Sequence, residues 1–133
     1  MCSSDLGCVE AAASGPSVVR WARTHGWSGS TARDLATAAE HGDPLAVAAF
    51  DRAARALAAG FVSTAAVCDL DLIVVGGGVA RAGQILFDPL RRWVSRLGGL
   101  AFLADLCVAP MALGGSAGLV GAAALLHEPG RYG

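Results

Sequence analysis

With 133 residues, 54 % of them apolar and 16 % charged, the chain can build one domain with a sizeable core and is excluded from the disordered class. A net charge of -1 gives no general attraction to nucleic acid, so the expected partner is a small molecule. All ten basic residues are arginine, and the absence of lysine counts against a Walker-type phosphate loop.

Residues 1–10 contain acidic side chains and no basic-then-apolar succession, so they do not read as a signal peptide and the expected location is the cytoplasm. No apolar stretch is long enough for a membrane span: residues 113–126 are too short, and the helical run before them is broken by Asp51, Arg52 and Arg55. Cys2 and Cys8 bracket a small loop, residues 2–10. Two thiols are half of a structural zinc site at most, so the residues leave open either a site completed elsewhere or two unligated cysteines. Cys68 and Cys107 are too distant in the chain to make a disulfide framework with them. Glu10 follows the loop, and read locally it is a helix N-terminal carboxylate favoured by the helix dipole.

Pro16 starts a helical piece over residues 17–25 that Gly26 ends, and a linker follows at residues 27–30. Ser30 or Thr31 caps a short helix reaching His41 and Gly42. Asp43 and Pro44 mark a fresh start, N-cap and first helical position, for a long helix to about Val67. Its apolar face carries Phe50, Ala54, Leu57, Phe61, Ala65 and Cys68, and it is expected to cover a sheet. Gly60 inside it implies the close approach of a neighbour.

Leu72 to Val75 is a β-branched apolar run ended by Gly76, Gly77 and Gly78, and reads as a strand buried on both faces. The glycines allow a tight turn and a close-lying ligand, and N–H groups near such a turn suit an anion such as a nucleotide phosphate. A helix over residues 83–97 follows, with a restart expected at Asp88-Pro89. Residues 105–110 give a second strand, parallel to the first through the intervening helix. A helix rich in glycine and alanine, residues 115–127, closes the pattern, and its glycines imply close approach to a backbone or a ligand.

The triple glycine is not a P-loop, because Val79 and Ala80 stand where lysine and Ser/Thr are required. Nor does it match a dinucleotide fingerprint, which needs glycine at Arg81 and an acidic residue near the end of the next strand. A plain strand-to-helix connection remains the alternative. Two strands are too few for a stable parallel sheet, so either further strands are hidden or this is the C-terminal portion of a larger α/β protein.

Four segments in order carry a family resemblance: Gly7-Cys8-Val-Glu10 with Ala-Ser-Gly-Pro, Gly42-Asp43-Pro44-Leu-Ala, Asp71-Leu-Ile-Val-Val-Gly-Gly-Gly-Val, and Gly118-Leu-Val-Gly-Ala-Ala. Together they resemble the ROK family of bacterial repressors and sugar kinases, glucokinase-like enzymes among them. The resemblance implies an actin-like, ribonuclease-H-like α/β fold of two lobes with ATP and sugar between them. This chain, residues 1–133, would be most of the C-terminal lobe.

It further implies that Cys8 is a zinc ligand, that Glu10 hydrogen-bonds sugar hydroxyls, and that Gly76, Gly77 and Gly78 line the nucleotide side of the cleft, with Gly114 and Gly115 nearby. The departures lie in the cysteine loop. Met1 and Ser3 stand where the family has cysteines, Ser4 where it has glycine, and Cys2 fits only with one inserted residue. The family's zinc histidine has no counterpart, so zinc is possible but its site is incomplete; His25, His41 and His127 read as helix-end or surface residues.

Phosphoryl transfer to a sugar hydroxyl also needs a catalytic base and a loop that positions phosphate and magnesium. The family carries both in its N-terminal portion, and neither occurs here. The expected function is thus the C-terminal lobe of an ATP- and Mg-dependent kinase of a glucose-like hexose, inactive as an isolated chain and partnered by a missing N-terminal lobe. The alternatives are the sugar-sensing lobe of a ROK transcriptional regulator and a degenerate remnant. A homodimer is expected, without direct nucleic-acid or membrane contact.

Overall fold

The computed structural model describes residues 8–99 and 103–127. Two short helices, α1 (Val9–Ala13) and α2 (Gly15–Thr24), meet at Ser14, whose hydroxyl accepts from the Ser17 N–H and so starts α2. α3 (Ala32–Glu40) opens with a capping box, in which the Thr31 side chain accepts from the Asp34 N–H while Asp34 accepts from the Thr31 N–H. Asp43 caps α4 (Pro44–Cys68), accepting from the Ala46 N–H at 2.8 Å, with Pro44 in the first turn. The starts at Thr31 and at Asp43-Pro44 were expected from local sequence, whereas α2 begins at Ser14, ahead of the start expected at Pro16.

α4 is the axis of the core. Its small buried residues Ala46, Ala49, Ala53, Ala54 and Ala58 let neighbours approach closely, and α1, α2, α3 and α6 all pack against it. At Gly60 the approach is direct, because a Cβ there would stand 3.2 Å from the Val9 methyl of α1. The apolar face is as expected at Phe50, Ala54, Leu57 and Ala65, but Cys68 is exposed. The principal partner of α4 is α6 rather than the sheet, which corrects its expected place over the strands. Within that contact, Trp93 of α6 donates to Asp51 of α4 at 3.1 Å, and the guanidinium groups of Arg55 and Arg96 lie over the Trp93 ring.

The sheet has the two expected strands, β1 (Leu72–Val75) and β2 (Cys107–Pro110), parallel and in register from Leu72 opposite Cys107 to Val75 opposite Pro110. Between them lie a one-turn helix, α5 (Gly77–Ala80), and α6 (Gln84–Leu97). α6 runs unbroken through Pro89, so the restart expected at Asp88 does not occur. The proline forgoes one intrahelical bond to the Ile85 carbonyl and buries its ring, while Leu86 and Leu90 on the same helix are fully buried.

One expectation fails at the sheet. Leu72 and Val74 are 54 % and 52 % exposed, so β1 is not buried on both faces. Strand alternation turns Ile73 and Val75 toward the helices and the other two side chains away, where no described element covers them. A 3-10 turn (Gly114–Ser116) and α7 (Ala117–His127) end the described chain. α7 is apolar yet open, with Leu119 78 % and Leu126 83 % exposed. The close contact expected at its glycines is not made by described residues, because nothing lies within 4 Å of a Cβ built on Gly118 or Gly121. Among the described residues no helix is long and apolar enough to cross a membrane.

Candidate functional site

The carboxyl ends of both strands open on one cavity of about 420 Å3. β1 delivers Val75 and Gly76 to it, and β2 delivers Pro110 and Met111, held in line by a bond from the Met111 N–H to the Val75 carbonyl at 2.9 Å. This is where ligands bind in open α/β sheets, outside the strand ends where the chain turns into helices.

The triple glycine forms one wall, for distinct reasons at each position. Gly76 is extended, but a Cβ there would fall on the Met111 methyl group. Gly77 sits at φ +77°, a conformation that costs any residue with a side chain. Gly78 has open space beside it. Gly114 and Gly118 complete the lining from the far end of the chain. Five glycines in one cavity expose backbone, so a bound molecule can reach main-chain groups that side chains would otherwise screen.

A second cavity of about 410 Å3 adjoins the first, sharing Gly78 and Arg81 with it. Val18, Ala36 and Phe50 give it an apolar floor, and Arg33, Thr37 and Glu40 of α3 give it polar walls. Neither this cavity nor the place of Arg81 in both linings is visible in the sequence, where Arg81 figures only as the missing third glycine of a dinucleotide fingerprint. The signal was an arginine three residues after Gly78 in a chain without lysine.

Glu10 is exposed in the first turn of α1 and lines neither cavity, so the fold does not bring it beside the triple glycine. Cys8 is half-buried at the N-cap of α1 and makes no side-chain capping bond; Cys2 lies outside the described residues. Cys68 and Cys107 are exposed. Among the described residues no group of three His, Cys, Asp or Glu side chains could hold a metal ion, so the described donors do not fit zinc. The Nδ1 atoms of His25 and His41 donate to the Trp21 and Thr37 carbonyls, at 2.8 and 2.7 Å, closing the ends of α2 and α3. Asp34 is held below the usual carboxylate range by hydrogen bonding to the Thr31 side chain first and its backbone second, and this serves a helix cap rather than a site.

The family model for the ROK family matches residues 1–129. A glucokinase from Streptomyces coelicolor is 33 % identical, with 92 % of this chain and 44 % of that protein covered. A kanosamine kinase from Amycolatopsis mediterranei is 38 % identical over 90 % of this chain and 39 % of its own length. Among solved structures, a ROK family glucokinase from Streptomyces griseus in complex with glucose and AMPPNP superposes with a TM-score of 0.77 at 34 % identity, covering 90 % of this chain and 44 % of that one. The chain therefore spans less than half the length of the relatives it matches.

Proposed function

The chain belongs to the ROK family, its fold is that of part of a lobe of the family's sugar kinases, and from that premise we propose that it is the C-terminal lobe of an ATP-dependent kinase of a glucose-like hexose. The observation that carries this reading is the cavity at the strand ends, walled by Gly76, Gly77 and Gly78, in a fold shared with a relative bound to glucose and an ATP analogue. Met111 at the Cβ position of Gly76 and the positive φ of Gly77 keep side chains off this wall, and in this reading the ligand lies against the main chain so exposed. In this reading the glycines hold the nucleotide, which supplies the phosphoryl group when bound with Mg. The partner lobe supplies the base and the loop that positions the transferred group.

Glu10 is assigned to the sugar hydroxyls, as a charged acceptor outside the glycine cavity. The residue spans follow the same division: the cysteine loop 2–10, helices 11–67, the strand-glycine-helix-strand unit 70–110 and the closing helix 115–127. Zinc takes no part in the proposal, since Cys8 has no described companions. The relatives named above are kinases, which favours catalysis over sugar-responsive regulation.

The test is made in the complete protein. Glu10→Gln removes the charge of the acceptor and is expected to weaken sugar binding by about 1.5–3 kcal/mol while nucleotide affinity holds. Titration of glucose into parent and variant checks this, and equal sugar affinities would remove Glu10 from the site.

A further inference from the structure

We propose that Arg81 is the side chain that pairs with the phosphate chain of the nucleotide in this lobe, an assignment resting on the nucleotide reading above. The starting point is how the arginines are used. Arg20 donates to Ser17; Arg52 lies over Trp21; Arg55 and Arg96 flank Trp93; Arg91 and Arg92 pair with Asp88 and Asp51. Of the remaining described arginines, Arg23, Arg33 and Arg81, none has its side chain bonded, paired or stacked on another described residue.

Arg81 differs from the other two in place. It caps the C-terminal end of α5, one short turn beyond the triple glycine, and among the described residues it is the one charged residue lining the glycine cavity. It also lines the adjoining cavity, so this exposed residue belongs to both. Among the described residues no carboxylate lines the glycine cavity, whereas Glu40 lines the second.

A cation without a counter-ion among the described residues of the glycine cavity, beside a wall of glycines, suits an anion held against the main chain. A planar guanidinium also meets two phosphate oxygens at once, which an ammonium group cannot do. With no lysine anywhere in the chain, the described residue whose charge can match an anionic ligand at this wall is Arg81. The second cavity, apolar below and polar at its walls, leaves room beside that contact for the uncharged part of the same molecule.

The experiment titrates ADP, adenosine and glucose into the complete protein, as parent, Arg81→Gln and Arg81→Lys. Loss of a charge-assisted contact is expected to weaken ADP about tenfold to a hundredfold in Arg81→Gln, with adenosine and glucose affinities unchanged. Arg81→Lys should fall between parent and Arg81→Gln, keeping the charge and losing the fork. Equal weakening of ADP and adenosine, loss of glucose binding, or full ADP affinity in Arg81→Gln would each overturn the assignment. Failure of the parent protein to bind ADP or ATP overturns the nucleotide reading itself, which separates the two failures.

Discussion

Gly76 and Gly77 are adjacent, yet a methyl group added to each meets a different obstacle. At Gly77 the obstacle is the backbone itself, because φ +77° crowds any Cβ against its own chain. Gly77→Ala is therefore expected to destabilise the fold by about 1–2 kcal/mol, read by chemical denaturation. At Gly76 the obstacle is the end of the flexible Met111 side chain, which can swing aside. Gly76→Ala should cost less stability than Gly77→Ala while narrowing the cavity and lowering nucleotide affinity. The reverse order of stabilities would show that Met111 is fixed and that the wall is built for packing. Gly60 illustrates a third cause, the approach of Val9, which local sequence announced because glycine is costly inside a helix. Asp34 adds a pH dependence. Its folded-state titration lies below the usual 3.8, so the stability its cap contributes is complete above that value and is lost as pH falls through the lowered one. The stability difference between the parent and Asp34→Asn should therefore shrink as pH falls below 3.8, and a difference that does not change with pH there would contradict it.

Helix starts were written locally, whereas helix partners were not. Asp43 at the N-cap and Pro44 after it specify the beginning of α4 through bonds within four residues, and Asp43→Ala is expected to cost about 1 kcal/mol. The packing of α4 on α6 depends on residues some forty positions apart, such as Asp51 and Trp93. Leu90 lies fully buried on α6, which packs against α4 and β2, and Leu90→Ala should cost about 2–5 kcal/mol. A thermal shift for Leu90→Ala no larger than that of Asp43→Ala would mean that this contact relaxes around the lost side chain. Pro89 shows the limit of reading elements from local signals. Asp88-Pro89 has the form of a helix start, but the apolar spacing of Leu86, Phe87, Leu90 and Val94 continues across it, and their burial carries the helix through.

At the scale of the whole molecule, the chain spans less than half of its relatives, and its exposed apolar surfaces, Leu72 and Val74 on β1 with Leu119 and Leu126 on α7, are those of a lobe with one face uncovered among the described residues. Incubated alone with ATP, Mg and glucose, it is expected to give no glucose phosphate, because the base and phosphate-positioning loop assigned to the other lobe are lacking. Turnover by this chain, measured with purified protein, would overturn the division of labour between lobes. The sequence by itself determined the capped helix starts, the two parallel strands, the glycine turn between strand and helix, and the family, since each rests on residue types at short spacing. Only the tertiary structure decided that Gly114 and Gly118 join the triple glycine, that Arg81 lines both cavities, that β1 shows one face, and that Glu10 lies outside the glycine cavity. Those relations join residues as far apart in the chain as Val18 and Arg81, and packing around α4 and α6, not local propensity, sets which of them meet.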